Sequence, residues 1–93
     1  MRLIFEEEAL DDLQSIFNWI AKDTPRAATR LIDRIFHKLE LLLTPGFARI
    51  GRIDLDPETY ELIERSYIIV YEVREQRDEI VVLAVFHGAR NRR

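Results

Sequence analysis

Apolar residues recur with helical spacing in the first half of the chain and alternate, or run together, in the second. After a short strand pattern at Arg2 to Phe5, Ala9, Leu13, Ile16 and Ile20 fall at i, i+4, i+7 and i+11, with Phe17 beside them. That spacing predicts an amphipathic helix. Acidic residues in its first turn suit the positive end of the helix dipole. It is expected to stop near Asp23, because Pro25 disfavours helical geometry at Thr24. The Thr24-Pro25 pair is also a start signal, a capping hydroxyl followed by proline at the first helical position. A second helix carries Ala28, Leu31, Ile32, Ile35, Phe36, Leu39, Leu42 and Leu43 on one side and Arg30, Asp33, Arg34, His37 and Glu40 on the other. It should end before Thr44-Pro45-Gly46. Two such helices joined by a very short link predict an antiparallel hairpin with a shared apolar face.

Beyond Gly46 the pattern turns to strands. ARIGRIDL predicts one interrupted at Gly51, a bulge or a close approach of another backbone. Asp56 to Glu58 reads as a turn. In TYELIER, Tyr60 and Leu62 oppose Glu61 and Ile63; SYIIVYEV is rich in β-branched and aromatic residues; REQRD supplies a polar loop. EIVVLAVFH is apolar on both faces, as expected of a central strand. The predicted fold class is α+β, with an N-terminal strand and an antiparallel two-helix hairpin packed on a three- to four-stranded, mainly antiparallel sheet.

Composition narrows the class. Ninety-three residues fit one domain, 1–93, whose core hides about 60–70% of the unfolded surface. Without cysteine, disulfides and thiolate metal sites are excluded, and no metal or other cofactor is expected. The N-terminal apolar stretch is too short for a signal peptide and no run reaches membrane-span length, so a cytoplasmic location is expected. The net charge is −3, whereas proteins that bind phosphate backbones carry a positive excess. The charge is nonetheless uneven: Glu6, Glu7, Glu8, Asp11 and Asp12 crowd the start, and Arg90, Arg92 and Arg93 the end. Trp19 and Leu41 project away from their helical stripes, which makes them edge-of-core residues or partner contacts.

ALDDLQSIFNWIAKDTPRAATRLIDRI, TPGFARIGR, YIIVYEV and VVLAVFHGAR together resemble the ParE branch of the ParE/RelE toxin superfamily, over Leu3 to Arg90. The most specific pieces are SYIIVYEV and the HGAR that ends the last strand. The resemblance implies the toxin half of a type II toxin–antitoxin pair, and its two branches imply different mechanisms. RelE-like relatives cut messenger RNA on the ribosome, which needs a base, an acid and cations for the developing phosphorane charge. Several of them carry an arginine three positions before the tyrosine that here is Tyr71. That slot holds Ile68, so the resemblance favours the ParE branch, a non-enzymatic inhibitor of DNA gyrase.

On that reading no residue is catalytic. Arg49, Arg52, Arg65, His87 and Arg90 are target-binding candidates, because strand alternation brings several arginines to one side of the sheet. Trp19, Leu41 and Arg74 are candidates for antitoxin contact. The partners implied are gyrase and a small ParD-like antitoxin with a partly disordered tail, which lays a helix on the hairpin and adds a strand to the sheet edge. DNA is reached only through the antitoxin, no membrane is involved, and a homodimer or hetero-oligomer is possible. The alternatives are a ribosome-dependent endoribonuclease using His87, Arg65 and Arg90, and a non-toxic member acting only in antitoxin binding and operon autoregulation.

Overall fold

The computed structural model describes residues 1–53, 56 and 58–89. Strand β1 (Arg2–Phe5) leads directly into helices α1 (Glu7–Ala21) and α2 (Pro25–Leu41). The sheet is completed by β2 (Arg52–Ile53), β3 (Thr59–Glu64), β4 (Tyr67–Arg74) and β5 (Glu79–His87). The spatial order is β1-β5-β4-β3-β2, with only the β1–β5 pair parallel. The sheet is thus five-stranded and mixed, one strand more than the upper expectation. The extra strand is the N-terminal β1, which joins the sheet beside β5. The strand predicted over ARIGRIDL shrinks to the two-residue β2, because consecutive turns close from Phe47 N–H to the Thr44 carbonyl and from Ile50 N–H to the Phe47 carbonyl. Asp54 and Leu55 of that run lie outside the described residues.

The helices end where the breakers predict. The Thr24 side chain makes no capping hydrogen bond, contrary to expectation. Its φ of −142° and ψ of 82° place the residue as a spacer, and Pro25 alone marks the start. The helical hairpin covers one face of the sheet. Ala9, Leu13, Leu31, Ile35 and Leu39 pack there on Tyr60, Leu62, Ile69, Tyr71, Val73, Ile80, Val82 and Val85.

A single irregularity sets the two faces of β5. Val70 pairs with Ala84, but Tyr71 pairs with Val82, leaving Leu83 as an extra residue. Such a bulge shifts every later side chain to the opposite face. Ile80 and Val82 point to the helices, and so do Val85 and His87, whereas strict alternation would have turned the last two away. Among the described residues, no strand neighbours the β1 side of β5 beyond Phe5. Asp12 of α1 covers part of that edge, its Oδ2 accepting the Val85 N–H at 2.9 Å.

Gly51 does mark a close approach. A Cβ there would lie 2.6 Å from the Glu61 carbonyl oxygen and 2.9 Å from Tyr71 Oη. Its own N–H donates to Tyr71 Oη at 3.1 Å, which ties the start of β2 to the centre of β4.

Candidate functional site

Two surfaces gather the residues singled out from sequence. The first is the open face of the sheet, away from the helices. Register places Ile4, Val81, Ala84, Phe86, Ile68, Val70 and Ile63 there. Arg2, Arg52 and Arg74 belong to the same face, each beside a carboxylate on a facing or neighbouring residue. Arg2 donates to Glu79 at 2.8 Å and Arg52 to Glu61 at 2.9 Å. Arg74 donates to Glu72 at 3.0 Å and lies 3.9 Å from Glu6. Ile68, in the slot where the RelE-like pattern has arginine, is buried and apolar.

Arg49 is not on a strand. It stands in the loop before β2, where its guanidinium bridges Glu58 at 2.7 Å and Glu75 at 2.8 Å. Those two carboxylates hold its pKa well above the ordinary guanidinium value. The effect is to clamp the loop onto the start of β3 and the turn after β4. Arg65 sits in the β3–β4 turn at a φ of 57°, largely exposed and 3.9 Å from Glu64. Arg90 lies outside the described residues. Alternation therefore does not assemble one arginine cluster: Arg52 and Arg74 share a face, while Arg49 and Arg65 serve a loop and a turn.

The second surface is a cleft of about 250 Å³ between α1 and the ends of β4 and β5, lined by Ser15, Ile16, Trp19, Tyr67 and His87. Trp19 is 63% exposed, with Lys22 Nζ 5.1 Å from its ring centre. Tyr67 and His87 meet edge to face at 5.2 Å. The Nδ1 of His87 accepts the Ala89 N–H at 3.2 Å, which assigns the ring proton to Nε2. The bulge turns the imidazole away from the open face. Arg65 lies in the turn next to it, since the Gly88 N–H donates to the Ser66 carbonyl at 2.7 Å.

The three antitoxin-contact candidates fall in separate places. Trp19 belongs to the cleft. Leu41 is exposed beside a hollow it shares with Arg34, His37, Lys38 and Glu64. Arg74 is half-buried among Glu72 and Glu6. Sequence reasoning missed Tyr67 and Ser15 as cleft residues, because only the bulge and the α1 crossing bring them to His87. It also assigned Phe36 to the core, whereas that ring is 36% exposed and tilted against Phe5 with centroids 5.4 Å apart. Leu10, directly after the buried Ala9 and off its stripe, carried a sequence signal that went unused; it is 50% exposed.

No group of acidic or histidine residues among those described is arranged to hold a metal ion. Among the described residues, no helix is long and apolar enough to cross a membrane.

Comparison with known proteins agrees with this architecture. A chain of the chromosomal ParDE TA system from P. aeruginosa superposes with a TM-score of 0.79 at 22% identity, covering 94% of this chain and 95% of that one. The isolated E. coli RelE toxin gives a TM-score of 0.69 at 20% identity, covering 96% and 85%. A chain of the archaeal RelE-RelB complex from Pyrococcus horikoshii gives 0.60 at 18%, covering 97% of each. At these identities the likeness is one of fold. Among curated protein sequences none matches the chain. The family model described as the ParE toxin of the type II toxin-antitoxin system, parDE, matches residues 3–92. The chain therefore belongs to the ParE toxin family, within the ParE/RelE superfamily of type II toxin–antitoxin toxins.

Proposed function

We propose that this toxin harms its host by docking on DNA gyrase, without chemistry of its own, and that a ParD-like antitoxin neutralises it. The observation that carries this reading is the state of the open sheet face. Cleaving RNA through its 2′-hydroxyl demands cations free to meet the charge that builds on phosphorus. Here Arg2, Arg52 and Arg74 are each engaged by a carboxylate, and Ile68 fills the slot where a cation would stand. His87, the one described residue of the endoribonuclease alternative suited to proton transfer, faces α1 instead.

The antitoxin suits the cleft side of the molecule. Trp19 offers an amphipathic anchor, and the β5 edge beyond Phe5 offers backbone groups for an added strand. The test is a supercoiling assay with purified gyrase and antitoxin-free toxin. Inhibition that the antitoxin reverses is expected; absence of inhibition at saturating toxin, together with cleavage of ribosome-bound message, would replace this reading with the endoribonuclease.

A further inference from the structure

Glu64, the last residue of β3, is buried and holds three cations on one carboxylate: Arg34 at 3.0 Å, Lys38 at 3.4 Å and Arg65 at 3.9 Å. Each open-face arginine meets at least one carboxylate, whereas here one carboxylate serves three cations. Beside them lies a hollow of about 240 Å³ lined by Arg34, His37, Lys38, Leu41 and Glu64. Its walls are almost wholly apolar, as the aliphatic stems of Arg34 and Lys38 next to Leu41 make them. Two local rules are broken to keep the cations there. Arg30, Arg34 and Lys38 recur every four residues along α2, and like charges at that spacing repel and weaken a helix. Arg65 takes a left-handed φ of 57°, a conformation that favours glycine. Such breaches of local preference gather at working surfaces. Among the described residues, no carboxylate pairs with Arg30. Asp33 and Glu40 lie about 100° or more around the helix from Arg34 and Lys38, on the side of Phe36.

We propose that this edge of α2, with the β3–β4 turn, is a docking surface for an acidic protein segment that carries an aliphatic side chain. The surplus cations meet its carboxylates, and the hollow beside Leu41 takes the aliphatic group. Glu64 is the buried post that holds Arg34 and Lys38 in place for it. The net charge of −3 opposes an acidic partner, but screening over a Debye length of about 8 Å leaves the local cations in control at contact. Nucleic acid fits less well. A phosphate backbone would leave the hollow unfilled, and no Trp, Tyr or Phe lines it for a base to stack on. The surface is built on α2 and the β3–β4 turn, apart from the Trp19 cleft on α1, so it goes beyond the function proposed above.

The test is an NMR titration of the antitoxin-free chain, at low salt, with a capped peptide that has one leucine between glutamate pairs. Amide shifts are expected at residues 30–41 and at the β3–β4 turn, and added salt should weaken them. Arg30→Glu should weaken binding about tenfold. Serine in place of the peptide's leucine should do the same, again about tenfold. Arg65→Gly should weaken it about threefold. Neither substitution in the chain should lower the thermal midpoint: the first gives Arg34 an opposite charge as its helical neighbour, and the second relieves the left-handed φ. Absent shifts, shifts confined to the Trp19 cleft or the open face, or binding that neither substitution weakens would overturn the proposal. So would lowered midpoints, which would assign these cations to the fold alone. Tighter binding of an oligonucleotide of equal charge, or the same shifts on raising the chain's own concentration, would replace the occupant with nucleic acid or a second copy and equally overturn it. Only the chain and the probes take part, so the outcome is independent of gyrase.

Discussion

The two faces of the sheet bury comparable apolar residues under different neighbours. On the covered face, Ile69, Tyr71 and Val82 are fully enclosed by the hairpin. On the open face, Ile68, Val70 and Val81 are 8%, 6% and 1% exposed, yet none joins the cluster that the helices complete. They are flanked on their own strands and neighbours by long paired side chains: Arg2 with Glu79, Arg74 with Glu72, Arg52 with Glu61. Charged residues with apolar stems can shield such positions while their heads stay in water. The lesson is that arginine on this face serves as cover and tether, which leaves it poorly placed as a reagent.

The sharpest test compares adjacent residues of β4. Ile69→Ala, on the covered face, should cost about 4 kcal/mol in chemical denaturation, and Ile68→Ala nearer 2, since its surroundings can collapse more easily. Equal losses would mean that both faces are packed as core and would end the comparison. Asp12→Ala should cost about 1–3 kcal/mol, because the Val85 N–H loses the carboxylate to which it donates at the β5 edge.

Tyr71 links stability to pH. Burial raises its phenol above the ordinary value of 10.0, with the Gly51 hydrogen bond opposing. The folded state therefore holds this proton more tightly than the unfolded chain. Stability is fully present below pH 10 and is lost as pH rises through the raised folded value. Denaturation midpoints should fall above pH 10, and Tyr71→Phe should flatten that fall. The smallest effects belong to the open-face pairs. Arg52→Gln and Arg74→Gln should each change stability by less than about 1 kcal/mol, as exposed or half-exposed ion pairs do. Any larger change in gyrase inhibition or antitoxin affinity would then report a contact with a partner.

Much of the architecture was legible because periodicity is strong here. The apolar stripes of Ala9–Ile20 and Ala28–Leu43, with Pro25 between them, specify the hairpin, and the β-branched runs specify β4 and β5. The β2 region was overread: Ala48 to Ile53 alternates like a strand, but two successive turns consume most of it. Glu61 and Glu64 are charged residues of β3. Both are buried, Glu64 against Arg34 at 3.0 Å and Lys38 at 3.4 Å, pairings with residues some 25–30 positions away that no local pattern contains. The arginine candidates fared similarly, because alternation orders residues along one strand and says nothing about which carboxylate lies across the next.

By itself the sequence determined the element types, the helical hairpin, the absence of thiol chemistry and the apolar occupant of the Ile68 slot, all consequences of residue identity and spacing. Only the tertiary structure decided on which side His87 lies. One extra residue at Leu83 reverses the face of everything after it, and a bulge is settled by how two strands meet, with the Val70–Ala84 and Tyr71–Val82 pairs marking its place.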